Sequence, residues 1–242
     1  MAASRPVPGA AAERERRAER ILDTARELLV SWGYRRVTVE EVARRAGVGK
    51  GTVYLHWRTK EALFLAVLAR IKLALNRLVV AAVREDPAGL MPSRMARTVY
   101  LAAHDDPAAR VVMLGDTETL GRLAHVAAES HADVSAMAMD TVVGLFELMR
   151  EHGLLRDERT PREQFQIYLA VVTGFMLSPQ LAPAVAADRA AAVADQLEHT
   201  LRSAIENPPD PAALAAVAPV FIARYEHLIE RLQKTVDSQL HL

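Results

Sequence analysis

The apolar positions of this 242-residue chain recur at helical spacing over most of its length. A first helix is predicted over 13–32, and its apolar face consists of Ile21, Leu22, Ala25, Leu28 and Leu29. Gly33 follows, and glycine suits the left-handed conformation that often ends a helix. No strand-like alternation of useful length and no internal repeat occurs. The pattern therefore predicts an all-α fold.

Capping residues, glycines and prolines divide the rest of the chain into further helices. These are predicted over 38–46, 50–56, 60–84, 90–104, 107–130, 132–152, 161–178, 187–206 and 211–239. Pro219 is expected to kink or restart the last of them. Residues 1–12 lack an apolar run of adequate length, so they are predicted to form a disordered tail and no secretory signal.

Two of the predicted helices are short and are joined by a glycine-containing turn. Thr38 and Glu41 have the spacing of a capping box and open the first of them. The turn is Gly47-Val48-Gly49, and two helices joined in this way form a helix-turn-helix, whose second helix enters the DNA major groove. Val53 of that second helix is expected to pack inward. The side chains expected on its open face are Lys50, Gly51, Thr52, Tyr54 and His56.

The net charge of zero hides an asymmetry along the chain. Residues 1–72 carry 15 Lys and Arg against 8 Asp and Glu, a net charge of +7, and residues 73–242 carry the opposite −7. Such a division is expected where only the first module meets phosphate. The chain has no cysteine, which excludes disulfides and thiolate chemistry and fits a cytoplasmic location.

The segment 47–64, Gly-Val-Gly-Lys-Gly-Thr-Val-Tyr-Leu-His-Trp-Arg-Thr-Lys-Glu-Ala-Leu-Phe, closely resembles the DNA-binding signature of the TetR-type (tetracycline-repressor-like) transcriptional regulators. The preceding 21–46, with Gly33-Tyr34 and Thr38-Val-Glu-Glu-Val-Ala, resembles the first two helices of the same family. The resemblance extends from near Arg17 to near Leu68. Gly49 stands where members often have Ser, a departure that affects one phosphate contact and leaves the motif intact.

The resemblance implies an all-helical homodimer, usually a repressor, that leaves a pseudo-palindromic operator when a small molecule enters its C-terminal domain. The residues implied to face bases or nearby sugar-phosphate are Lys50, Gly51, Thr52 and His56. Those implied to hold phosphates are Thr38, Tyr54 and Lys60, with Arg44, Arg45, Arg35 and Arg36 as further candidates. The alternatives are that the arginine pairs are ordinary solvated charges and that His56 covers the end of its helix.

The predicted domains are a three-helix DNA-binding domain over 13–60 and a larger helical domain for effector binding and dimerisation over 61–242. By position in the family, the helices near 160–178 and 187–206 build the dimer interface; the alternative is that they are monomer core. One stripe of the second helix suits an interface: Ala190, Ala194, Leu197, Leu201 and Ile205. Small residues that permit close helix approach are Ala170, Gly174 and Ala191. The segment 211–242 either pads the dimer or closes the ligand cavity.

A ligand pocket is expected among the helices between about Leu90 and Phe175. Its many apolar side chains, several of them Met, predict a mainly hydrophobic effector. The candidate lining residues are Tyr100, His104, Asp116, Glu118, His125, Met137, Glu147, Tyr168 and Thr173.

Other classes of function and location find little support in the sequence. No phosphate loop, nucleophile elbow or His-Glu-x-x-His occurs, so no catalytic residue, metal or cofactor is predicted. Ile167–Ala187 is uncharged, but Pro179 and Pro183 interrupt it, which favours a buried or interfacial helix over a membrane span. An architectural DNA-binding protein without an effector stays the alternative function, although the large apolar C-terminal part argues against it.

Overall fold

Ten α-helices and one 3₁₀ turn make up the part of the chain that this computed structural model describes, residues 8–115, 120–121, 123, 132–181 and 189–239. The helices are α1 (Pro8–Arg36), α2 (Val39–Arg45), α3 (Lys50–His56), α4 (Lys60–Glu85), α5 (Pro92–Asp105), α6 (Pro107–Leu114), α7 (Ala132–Glu151), α8 (Pro161–Leu181), α9 (Ala190–Ile205) and α10 (Pro211–Gln239), with the 3₁₀ turn at Pro87–Leu90. No strand occurs over these ranges. The predicted all-α fold is confirmed.

The first helix is longer than the sequence pattern predicted. It begins at Pro8, so the predicted tail is wrong over 8–12, where Pro8 suits a first turn and the alanines that follow are strong helix formers. Gly33 has a φ of 72° and marks a kink within α1, which continues to Arg36. The predicted apolar face of this helix is buried.

The long helix α4 connects the two predicted domains. It packs on α1, which precedes it in the sequence, and on α5, α6 and α10, which follow it. Arg70 of α4 also forms ion pairs with Glu19 at 2.6 Å and Asp23 at 2.5 Å, both on α1. One continuous apolar core extends from α1 to α10, so α4 is shared between the modules.

The predicted helix over 107–130 ends early. Asp106 caps its start by accepting from the Ala108 N–H at 2.9 Å, but α6 stops at Leu114. Gly115 then adopts a left-handed φ of 59°, the conformation that closes a helix and that glycine adopts without strain. The prediction of one continuous helix is therefore wrong at this glycine.

The apolar stripe of α9 faces its own chain. Leu197, Leu201 and Ile205 are buried, and α9 packs along α5. The buried carboxylate of Glu206 adds a link between these helices, because it accepts from the Ser93 N–H at 2.6 Å and from the Ser93 hydroxyl at 2.9 Å. The prediction that this stripe forms the dimer interface is wrong, and the alternative of monomer core is confirmed for it.

The last helix also belongs to the monomer core. α10 continues through Pro219 without restarting and packs along α4, with Phe221 and Leu228 buried. Pro211–Lys234 is long and apolar enough to cross a membrane by length and composition alone, a test that core helices of soluble proteins also pass. The packing on α4 explains its apolar face without a membrane.

Candidate DNA-binding site and effector domain

The helices α2 and α3 are held in a fixed relation by a small buried core. Val42 and Ala43 of α2 pack with Val53 of α3, and Trp57 is fully buried at the end of α3. The turn between them contains Gly47 at a φ of 68°, which favours glycine. The Thr38 hydroxyl oxygen accepts from the Glu41 N–H at 3.2 Å and caps α2. Its own proton stays available for another acceptor.

The outer face of α3 carries most of the side chains predicted there. Lys50, Gly51 and Tyr54 are exposed, and Thr52 is half-buried. A Cβ built on Gly51 meets no atom within 4 Å in the described chain, which leaves room for close approach of a groove. The Lys50 ammonium forms an ion pair with Glu40, which raises the pKa of Lys50 and lowers that of Glu40.

His56 does not lie on that outer face. Its side chain is 2% exposed and its ring centroid is 5.4 Å from that of Trp57. Burial, followed by the charges of Arg14 and Arg17, lowers the pKa of His56. The predicted open-face position is wrong because His56 follows the inward-facing Val53 by three residues, which returns it to the same side of the helix.

Leu55 is a residue that sequence reasoning missed. It is 69% exposed on α3, four residues after Gly51 and therefore on the same face. The available signal was this spacing, because an apolar residue one turn from the exposed glycine must also point outward. An exposed leucine on the helix that enters the major groove (the reader helix) can contact the methyl group of thymine.

The arginines of α2 are partly neutralised within the helix. Arg44 and Arg45 form ion pairs with Glu41 at 2.6 and 2.7 Å, and they lower the pKa of Glu41 to about 2. The Arg45 guanidinium also lies 4.7 Å from the ring centroid of Trp32. Both arginines stay exposed. A phosphate contact would therefore have to compete with Glu41.

Lys60 begins α4 beside the helix-turn-helix. Its ammonium donates to the Tyr34 carbonyl at 2.6 Å and lies 4.2 Å from the Tyr34 ring centroid. Burial lowers the pKa of Lys60. An ammonium has three donors, so two stay available after the bond to Tyr34.

The predicted effector residues fall into four groups. Tyr100 is buried and Tyr168 is half-buried, its ring 6.0 Å from Phe146 between centroids. Met137 packs against the apolar contact between α4 and α10. The candidates exposed on the surface are His104, Glu147 and Thr173. Asp116, Glu118 and His125 lie outside the described residues.

A second contact joins the C-terminal helices to α1. Arg26 of α1 forms an ion pair with Asp106 at 2.5 Å, and α6 itself packs on α1.

Metal-binding groups of three or more His, Asp or Glu do not occur in the ranges that the structure describes.

Comparisons with known proteins agree with this geometry. Residues 21–67 match the family model described as bacterial regulatory proteins, tetR family. The HTH-type transcriptional repressor Rv1474c of Mycobacterium tuberculosis is 28% identical over 77% of this chain and 93% of its own length. The HTH-type transcriptional repressor BepR of Brucella suis is 27% identical over 65% of this chain and 78% of its own length.

A solved structure shares the fold across both modules. The SmeT–triclosan complex, whose protein is a repressor from Stenotrophomonas maltophilia, aligns with a TM-score of 0.61 at 19% identity. The alignment covers 81% of this chain and 98% of SmeT. The helix-turn-helix, the all-α fold and the repressor relatives together make the chain similar to the tetR family of bacterial regulatory proteins, whose family model matches residues 21–67.

Proposed function

We propose that this protein is a cytoplasmic transcriptional repressor that binds a pseudo-palindromic operator as a dimer and leaves it when a small, mainly hydrophobic effector binds. The observation that carries the proposal is the exposed face of α3, which is presented on a rigid helix-turn-helix. Net positive charge in residues 1–72 supports phosphate contact by this module. The relatives' function as repressors supports the sign of regulation.

The DNA contacts follow from exposure and donor chemistry. Gly51, Thr52 and Leu55 face bases, since they are the small or apolar groups of the outer face of α3. The residues assigned to phosphates carry a hydroxyl or a cation: Thr38, Lys50, Tyr54 and Lys60, with Arg44 and Arg45 as weaker contacts. His56 supports the helix from inside.

The dimer forms through the outer faces of α8 and α9. One stripe of α8 is exposed and rich in small residues: Gln166, Leu169, Ala170, Thr173 and Gly174. Leu169 is 42% exposed, which leaves apolar area for a partner to cover. A two-fold operator requires a two-fold protein, with reader helices about 34–36 Å apart.

Effector binding in the C-terminal helices would change that spacing through α4 and α6, which both pack on α1. A difference of about 1–3 kcal/mol in effector affinity between the two states is sufficient to change operator occupancy. SmeT was solved with triclosan, which supports a small-molecule site in this fold.

The test is a mobility-shift assay with the promoter region of the protein's own gene at two salt concentrations. The proposal expects a competitor-resistant shift with dimer stoichiometry. Lys60→Ala should weaken binding to every sequence and reduce the slope of log affinity against log salt by about one unit. Tight binding that no small molecule weakens would favour the architectural alternative, and an unchanged salt slope would remove Lys60 from the phosphate contacts.

A further inference from the structure

A partly buried arginine lies where three helices of the effector domain meet. Arg110 of α6 donates through Nη2 to the carbonyl of Met176 on α8 at 2.8 Å. α5, α6 and α8 pack on one another, and Tyr100 of α5 is buried among them. Burial raises the pKa of Tyr100, and the positive charge of Arg110 opposes that shift.

This guanidinium has no counter-ion in the part of the chain that the structure describes. Its Nε–H is buried and finds no acceptor there. Arg97 and Arg94 of α5 differ in this respect, because Arg97 pairs with Asp195 and Arg94 with Asp86. A guanidinium taken partly out of water without an anion costs free energy, which a bound anion would offset.

The contact with Met176 does not supply a negative charge to balance the Arg110 guanidinium. Pro179 has no N–H, so the carbonyl of Phe175 loses its helical donor and accepts from the Ser178 hydroxyl at 3.1 Å instead. Arg110 binds the next carbonyl along the helix. A carbonyl is neutral, so this bond orients the guanidinium and leaves its charge and its Nε–H available to a ligand.

We infer that Arg110 and Tyr100 bind the head of the effector, and that the effector is an amphipathic carboxylate. The Nε–H and the Tyr100 hydroxyl supply two donors, which match the two oxygens of a carboxylate. The surroundings include an apolar side chain, because Met176, whose carbonyl accepts from Arg110, is buried. This inference rests on the proposed function and adds the chemical class of its ligand.

The position of Arg110 also connects the head group to the DNA-binding module. Arg110 is one helical turn from Asp106, which both caps α6 and pairs with Arg26 of α1. An anion drawn to Arg110 therefore acts on the short helix that contacts α1. No transmission through intermediate elements is needed.

The experiment compares three probes of equal chain length on the full-length protein by calorimetry: dodecanoate, dodecanol and dodecyltrimethylammonium. Dodecanoate should bind about ten- to hundredfold more tightly than dodecanol, the range expected for a charge-assisted hydrogen bond. Arg110→Met should abolish this preference and retain the dodecanol affinity. Arg97→Met is the matched control and should keep the preference, since Arg97 is paired on the surface.

Tyr100→Phe provides a second variant that keeps every charge. It should weaken dodecanoate several-fold and leave dodecanol unchanged. Three results would overturn the inference: no dodecanoate binding, equal binding of dodecanoate and dodecanol by the unmodified protein, or a preference that survives Arg110→Met. Operator binding without any probe is measured in parallel, so failure of the proposed function is seen separately from failure of the carboxylate assignment.

Discussion

At the residue scale, His56 ties the stability of the DNA-binding module to pH. In the folded chain its pKa lies below the ordinary 6.5 because the ring is buried and Arg14 and Arg17 are near. In the unfolded chain the ring regains its ordinary pKa. At a pH between the two pKa values the unfolded ring is therefore protonated while the folded ring stays neutral. The contribution to stability is therefore complete above pH 6.5 and is lost as the pH falls through the folded-state pKa.

Thermal unfolding at about pH 7.5 and about pH 5.5 checks this. His56→Phe should reduce the fall in Tm between the two conditions. The Nδ1 atom of His56 has no hydrogen-bond partner in the described chain, so phenylalanine loses no bond there. His104→Asn, at an exposed position, should leave the fall in Tm unchanged. If the fall in Tm is the same for His56→Phe and for the unmodified protein, protonation of the buried His56 ring is not the cause of the lower stability in acid.

We expect Leu55 to affect a different property, the choice of operator. Leu55→Ala should weaken binding to the preferred operator about tenfold and relax the preference for a T·A pair at one position in each half-site. The salt slope should stay the same because no charge is removed. Selection of operators from a randomised library measures both effects. Leu78→Ala removes another exposed leucine, on α4 away from the reader face, and should change neither.

At the element scale, the sequence predicted where helices start better than what their apolar faces contact. Thr38, Thr59 and Asp106 cap their helices through their own side chains, so the signal is local. The stripe of α9 was equally visible, but an amphipathic pattern does not tell which surface covers it, and here α5 does. The direction of His56 could have been predicted from the sequence, because His56 follows the inward-facing Val53 by three residues and so lies on the same side of α3.

The link between α5 and α9 depends on Glu206. Glu206→Ala should lower the free energy of unfolding by about 2 kcal/mol, because the buried Ser93 N–H loses its acceptor. Glu206→Gln keeps an acceptor for that N–H and should cost less. Urea denaturation measures the difference, and the slope of the free energy of unfolding against urea concentration should be the same for all variants. Ser203→Ala, exposed on α9, is the control, and an effect as large as that of Glu206→Ala would show that the loss is not specific to the buried link.

At the scale of the whole molecule, the division into a basic and an acidic part and the exposed face of α8 both favour a dimer that contacts DNA only through its N-terminal modules. In the proposed function the basic residues 1–72 meet DNA, while the acidic 73–242 would avoid non-specific contact and meet their copies in the partner subunit through apolar and small side chains. Such a face cannot be identified from sequence alone, because Ala170 and Gly174 would be equally compatible with close packing inside the monomer. Their exposure in the folded chain separates the two readings.

Gly174 gives the sharpest test of the dimer. A Cβ built there meets no atom within 4 Å in the described chain, so Gly174→Leu leaves the monomer fold intact, and replacing a glycine within α8 favours the helix. In the proposed dimer the added side chain meets the partner subunit instead. We expect Gly174→Leu to be monomeric by size-exclusion chromatography with light scattering and to bind the operator at least about tenfold more weakly, since one half-site alone then holds each protein. Ala81→Leu adds a leucine to the exposed face of α4 and should stay dimeric. A dimeric Gly174→Leu with full operator affinity would place the two-fold axis elsewhere, whereas a monomeric Ala81→Leu would place it beside α4.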